Sequence, residues 1–370
     1  MKRAVPMLFL MLTLLTSCAE KSSGGTMPAA ENETSPTLTV TPAPTPAEVP
    51  TAVPSPSPSP SPSPSPSPSP TELPNMPDIP QRGITKEVPE EYLLPAENGG
   101  TVERISYPSR NYAGEAEDIL KIANVYLPAD YDPDDTETRY DIFYFMHGWT
   151  GNADEFFSFG DGMVKNLFDH MIGNGDIPPM IIVAATFDSL NESADFEWSV
   201  EEVEAFHDDF ARDLMPAVEA RYHSYALSVS GEDLVASRDH RAFGGFSLGS
   251  VTTWLEFCYD AEYMRYFLPI SAACWYYGAI DDPQPVQNTD MILSVIEEKE
   301  LNDKGYFIYA CTGTEDSMRG ELDLQMEEMF SRPAAFTPEH VVYYYNEEAV
   351  HELVALPEYL YNALPVFFGE

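Results

Sequence analysis

Arg241-Ala242-Phe243-Gly244-Gly245-Phe246-Ser247-Leu248-Gly249-Ser250-Val251-Thr252-Thr253-Trp254-Leu255 packs a strand, a sharp turn and a helix into fifteen residues. Arg241–Gly244 reads as a buried strand and Ser250–Leu255 as the first turns of a helix. Between them stands Gly-x-Ser-x-Gly. A turn this tight presses the residues two before and two after the serine against each other, and glycine avoids the clash. The serine hydroxyl is then presented at the tip of the turn, where a nucleophile is useful.

Working outward, apolar and β-branched runs recur with helical patterns between them. The strand candidates are Thr101–Ser106, Leu120–Leu127, Tyr140–Met146, Met180–Ala185, Arg241–Gly244, Tyr266–Ile270, Tyr306–Cys311 and His340–Tyr345. The first two have no helix between them and predict an antiparallel meander. From Tyr140 onward helices intervene: Gly162–Ile172, Glu201–Arg221, Ser250–Tyr259, Thr289–Glu300, Gly320–Phe330 and Glu352–Phe367. Such alternation predicts an α/β fold, a mostly parallel eight-stranded sheet flanked by helices on both faces. Sites in such sheets form beyond the carboxyl ends of the strands.

Three more pieces lie at those ends. His147-Gly148-Trp149-Thr150-Gly151 follows one strand. The N–H after its glycine, that of Trp149, suits an oxyanion hole together with the N–H of Leu248. His147 is read as a structural member of that loop. After Tyr306–Cys311 comes Thr312-Gly313-Thr314-Glu315-Asp316-Ser317, where Glu315 and Asp316 compete as the acid of a triad. Two histidines follow. His340 opens a strand and stands at the wrong edge of the sheet; His351 follows that strand and is selected as the base. The order serine, acid, histidine is that of Gly-x-Ser-x-Gly hydrolases.

The 370 residues carry 61 acidic and 19 basic side chains, a formal charge of −42. A chain so acidic repels phosphate backbones and anionic bilayers, which argues against nucleic acid as a partner. Lys2 and Arg3, the apolar run Met7–Leu15 and Leu15-Thr16-Ser17-Cys18 predict a lipoprotein signal peptide over 1–17, with Cys18 lipidated; this end resembles a bacterial lipobox. Eighteen of the 34 prolines lie between Cys18 and Pro80, and Ser55–Pro70 is eight Ser-Pro pairs. With no apolar face, and with every second N–H donor missing along the Ser-Pro run, 18–80 is expected to be a disordered, lipidated tether. The repeat alone would span roughly 50 Å as polyproline II. Residues 81–370 are then one domain. The expected location is the bacterial cell surface, with membrane contact only through the Cys18 lipid.

The whole constellation resembles carbohydrate esterase family 1, the feruloyl esterase and esterase D-like group of α/β-hydrolases, over roughly residues 90–370. The resemblance is carried by the His-Gly turn at His147, by Asp213-Leu214-Met215-Pro216-Ala217-Val218-Glu219 with Tyr222-His223-Ser224-Tyr225, and by Gly-Phe-Ser-Leu-Gly. It also includes Gly313-Thr314-Glu315-Asp316 and the tail Leu364-Pro365-Val366-Phe367-Phe368. The Gly-Thr-x-Asp turn implies Asp316 rather than Glu315 as the acid. The family implies hydrolysis of hydroxycinnamoyl, or sometimes acetyl, esters on plant cell-wall xylan, without a cofactor or metal. Trp149 stands where many relatives carry a small residue. Trp149, Trp198 and Trp275 are the aromatic candidates for the substrate pocket.

Other readings stay open at this stage: an acetyl xylan esterase, a general short-chain carboxylesterase or acyltransferase, or a tethered carbohydrate-binding module. Cys258, Cys274 and Cys311 are expected to be buried thiols rather than a disulfide framework. No spacing resembles a zinc site.

Overall fold

The structure is a computed structural model that describes residues 81–114, 117–187, 196–280 and 282–369. The signal peptide, Cys18 and the proline-rich segment lie outside the described residues.

Among the described residues nine strands form one sheet. They are β1 (Arg82–Ile84), β2 (Thr101–Arg110), β3 (Asp118–Leu127), β4 (Asp141–Met146), β5 (Met180–Ala185), β6 (Arg241–Phe246), β7 (Tyr266–Ile270), β8 (Phe307–Gly313) and β9 (Val341–Asn346). The helices are α1 (Ala153–Asn174), α2 (Phe196–Asp209), α3 (Met215–Glu219), α4 (Gly231–Ala236), α5 (Leu248–Asp260), α6 (Pro285–Glu298), α7 (Leu301–Lys304), α8 (Arg319–Phe330) and α9 (Leu356–Phe368). A π-helical turn, Phe210–Leu214, joins α2 to α3.

The sheet runs β1-β9-β8-β7-β6-β4-β5-β3-β2. Every pair from β1 to β5 is parallel. β3 is antiparallel to β5, and β2 to β3, so the expected meander is present. The expectation of eight strands is corrected to nine. Arg82-Gly83-Ile84 has too few apolar residues to signal a strand, yet it pairs with Tyr343–Tyr345 at the sheet edge.

Alternation along each strand feeds two cores. Ile142, Tyr144 and Met146 join Ile181, Val183 and Ala185 under Trp254, Ile292 and Leu322. Phe143 and Phe145 join Ile182 and Ala184 against Phe168, Leu360 and Leu364. Helices α5, α6 and α8 therefore cover one face, and α1 and α9 the other. Both faces are dry, which is why these strands read as unbroken apolar runs.

Two helices differ from expectation. The first is α1, in which the expected helix from Gly162 is preceded by helical turns from Ala153 that Asn152 caps by accepting from the N–H groups of Asp154 and Glu155. It breaks at Phe159–Gly162, where Gly160, Asp161 and Gly162 take positive φ, and Gly175 ends it at φ 77°. The run read as Glu201–Arg221 is Phe196–Glu219, with the π turn inside it.

Candidate active site

Because β4, β6, β7, β8 and β9 are parallel, their carboxyl ends share one edge, and each delivers one loop there. Ser247 follows β6 with φ 59° and ψ −117°, a conformation a non-glycine residue holds only when its surroundings enforce it. The enforcement is visible. Ser247 N–H donates to the Ile270 carbonyl at 2.9 Å. A Cβ on Gly245 would collide with the backbone of Gly249, and one on Gly249 with the carbonyl of Met146.

His351 and Asp316 meet Ser247 across the sheet edge. His351 Nε2 is 2.9 Å from Ser247 Oγ. His351 Nδ1 is 2.9 Å from Asp316 Oδ1 and 3.1 Å from Oδ2. Since a carboxylate only accepts, Nδ1 carries the proton and Nε2 is left to accept from the serine hydroxyl. The Asp316 side chain is fully buried. It also accepts from the Met318 N–H at 2.7 Å. Glu315, the competing acid, is exposed. Phe246 packs against the His351 ring, with centroids 4.7 Å apart.

The acid and base loops are laced together. Thr314 N–H donates to the Asn346 carbonyl and Glu315 N–H to the Ala349 carbonyl, each at 3.0 Å. Glu348 N–H donates to Thr314 Oγ1 at 2.8 Å. His340, by contrast, stacks on Tyr306 at the amino end of β8, away from this edge.

The His147 loop lies against the serine: a Cβ on Gly148 would sit 3.2 Å from Ser247 Cβ. The loop closes through Gly151 N–H to the Gly148 carbonyl at 3.1 Å, with Thr150 at φ 62°. Leu248 is the first residue of α5, and helix geometry gives its N–H no intrahelical acceptor. His147 is buried, which pushes its pKa down to about 4, so the ring is neutral. Nδ1 donates to the Gly148 carbonyl at 2.7 Å, and Nε2 accepts from Thr186 Oγ1 at 2.9 Å. It holds the loop, as its position suggested.

A cleft of about 380 Å³ opens over the serine, lined by Trp149, Phe159, Phe246, Ser247, His351, Glu352 and Leu353. Phe159 arrives there because α1 breaks at that residue. Trp149 is 46% exposed at the rim. Trp275 does not line this cleft; it is half-buried, with Nε1–H donating to Glu321 Oε2 at 3.1 Å. The side chain of Trp198 lies outside the described residues. Cys258, Cys274 and Cys311 are free and buried.

A parallel sheet with antiparallel β2 and β3 at one end, a strained serine after β6 and a histidine after the last strand define an α/β-hydrolase. No protein-family model matches the chain. It is 32% identical over 290 residues to endo-1,4-β-xylanase Y of Acetivibrio thermocellus, covering 77% of this chain and 25% of that protein. The chain spans about a quarter of the length of the curated relatives it matches. Among solved structures it is similar to a serine-to-alanine mutant of the feruloyl esterase module from Clostridium thermocellum, complexed with sinapinate. The identity is 31%, the TM-score 0.66, and coverage 78% of this chain and 94% of that one. A CE1 ferulic acid esterase from Anaeromyces mucronatus shares the fold at 17% identity and TM-score 0.55, over 77% of this chain and 98% of that one. The chain belongs to the family of that feruloyl esterase module, a family of carboxylic ester hydrolases.

Proposed function

We propose that this protein is a serine esterase that releases hydroxycinnamoyl groups from xylan-derived saccharides. The observation that carries the reading is the unbroken chain Ser247–His351–Asp316, with 2.9 Å at each junction. Ser247 Oγ attacks the ester carbonyl while His351 Nε2 takes its proton. Asp316 stabilises the imidazolium that forms. The tetrahedral oxyanion is received by the N–H groups of Leu248 and Trp149. Collapse expels the sugar alkoxide, which recovers the proton from His351 and leaves an acyl-serine. Water, deprotonated by His351, then attacks the acyl carbonyl; the carboxylic acid departs and Ser247 is restored.

The aromatic lining of the cleft, Trp149, Phe159 and Phe246, favours a planar phenolic acyl group over acetyl. The xylanase and feruloyl esterase relatives support xylan as the setting. The same proposal includes an anchored location, with Cys18 lipidated and the Ser-Pro segment as spacer.

Kinetics on methyl ferulate, p-nitrophenyl acetate and acetylated xylan test the acyl group. Methyl ferulate is expected to have the highest kcat/KM; a clear lead for acetyl esters would make the enzyme a deacetylase. Cys18→Ala is expected to move the protein from the membrane fraction to the soluble fraction. Retention of the variant on membranes would overturn the anchor.

A further inference from the structure

An acid in the first turn of a helix is ordinarily a solvated charge that complements the helix dipole. Glu321, in the first turn of α8, is buried instead, at 8% exposure. Its Oε1 accepts from the Ala273 N–H at 3.3 Å and its Oε2 from Trp275 Nε1–H at 3.1 Å. Both donors belong to the segment after β7, which leaves the strand through Ser271 at φ 63°. The Ala272 carbonyl in that segment is held from α5 by Ser250 Oγ–H at 2.7 Å and Trp254 Nε1–H at 3.1 Å. The other end of the connection is the acid loop. Helix α8 starts three residues after Asp316, whose side chain takes the Met318 N–H and whose carbonyl takes the Arg319 N–H at 3.2 Å.

We propose that Glu321 is a positioning residue of the esterase: it clamps the Trp275 segment to the helix that continues the Asp316 loop, and its buried carboxylate lies within electrostatic reach of His351 and Asp316. The proposal rests on the hydrolase reading above.

A clamp alone would not need an acid, because an uncharged acceptor also satisfies an indole N–H, and burying a carboxylate is costly. The surroundings give the charge a task. His351 and Asp316 both act electrostatically on Glu321, the first favouring its ionisation and the second opposing it. On its own helix, Arg319 and Asp323 pair with each other at 3.0 Å. Burial, helped by Asp316, raises the Glu321 carboxyl above its ordinary value, and the two N–H donors and His351 oppose that rise without cancelling it. Reciprocally, an ionised Glu321 favours the His351 imidazolium, the species that forms as Ser247 attacks. Removing the charge should therefore withdraw that stabilisation, which the pH profile of turnover reads.

The test uses the full-length protein with Glu321→Gln and Glu321→Leu, assayed on p-nitrophenyl acetate and methyl ferulate between about pH 5 and about pH 9. Glutamine keeps an acceptor and removes the charge. It is expected to move the acid limb of kcat/KM to lower pH by a few tenths of a unit on both substrates. At the optimum it should stay within about threefold of wild type. Leucine releases the Trp275 segment as well. Because the clamp bears on the Asp316 loop, the leucine variant is expected to lower kcat/KM on both substrates about tenfold or more. An unshifted acid limb in Glu321→Gln, or a folded Glu321→Leu variant that stays within about threefold of wild type on both substrates, overturns the proposal. If the leucine variant does not fold, the glutamine pH profile decides. A wild type that hydrolyses p-nitrophenyl acetate but not methyl ferulate defeats the hydroxycinnamoyl reading, and the acid limb on the acetate ester still tests the Glu321 charge.

Discussion

Gly249 and Met146 are in backbone contact across the elbow: the first turn of α5 rests on the end of β4 with no room for a methyl group. Gly249→Ala must push α5 away from β4 and, with it, Ser247 away from the Gly148 turn. The expected cost is about 3 kcal/mol or more, seen as a lower denaturation midpoint together with lost esterase activity. Wild-type stability in this variant would mean that the elbow is looser than its packing implies.

Ser247→Ala should leave the fold unchanged and lower kcat by several orders of magnitude, as the loss of a triad nucleophile does. Circular dichroism establishes the first part and ester turnover the second. Substantial residual turnover would place the nucleophile elsewhere.

Asp316→Asn should cost far more activity than Glu315→Gln. An amide facing His351 Nδ1 can present its own N–H and favour the wrong tautomer, with a loss of about 10⁴ in one well-studied triad. Glu315 points into solvent and contributes its backbone, which the substitution keeps. The reverse ranking would transfer the role to Glu315.

Glu256 offers a pH-dependent stability test away from the site. It is fully buried in α5, and neither carboxyl oxygen meets a donor in hydrogen-bonding geometry among the described residues. Burial first, and then the neighbouring Asp260 and Asp209, push its pKa well above the usual carboxylate range. A carboxyl raised in the folded state contributes its full stability below its unfolded pKa, about 4.3. That contribution is lost as pH rises through the folded value. Glu256→Gln removes the titration. Its melting temperature, relative to wild type, should therefore rise between about pH 5 and about pH 9. A difference that stays constant with pH would show that Glu256 does not titrate on folding.

Deleting residues 19–80 should leave methyl ferulate turnover unchanged, while continuing the deletion through residue 86 should lower the melting temperature. The second cut removes β1 and its ties: Tyr343 N–H to the Gln81 carbonyl at 2.7 Å, Thr85 N–H to the Tyr345 carbonyl at 2.8 Å, and Gln81 Nε2–H to the Phe336 carbonyl at 2.6 Å. Equal stability of the two truncations would make β1 dispensable.

The site was legible in the sequence where backbone demands restrict residue choice. Gly245 and Gly249 announce the elbow because no other side chain fits there, and strand order then selects His351 over His340. Long buried strands such as Met180–Ala185 are unmistakable because both faces are dry. What local sequence does not carry is burial of a charge. Glu315 and Asp316 are adjacent carboxylates, and only the fold turns one inward. Nothing local marks Glu321 or Glu256: Glu321 meets its donors at Ala273 and Trp275, and Glu256 is buried by the packing around α5. Strand β1 was missed for a related reason: three residues with one apolar side chain gain their structure from pairing with β9, not from their own pattern.

The lacing of the acid and base loops bears on how such an enzyme diversifies. Two of the three bonds joining Thr314 and Glu315 to residues 346–349 run between backbone atoms, and the third needs only a hydroxyl at Thr314. None depends on the side chains of Glu347 or Val350, which point outward. The rim next to the histidine can therefore drift in sequence, gaining or losing contacts to whatever sugar the ester hangs from, while the proton relay keeps its registration. Directed evolution for a new saccharide context has its safest starting positions there, one step from the chemistry and mechanically separate from it.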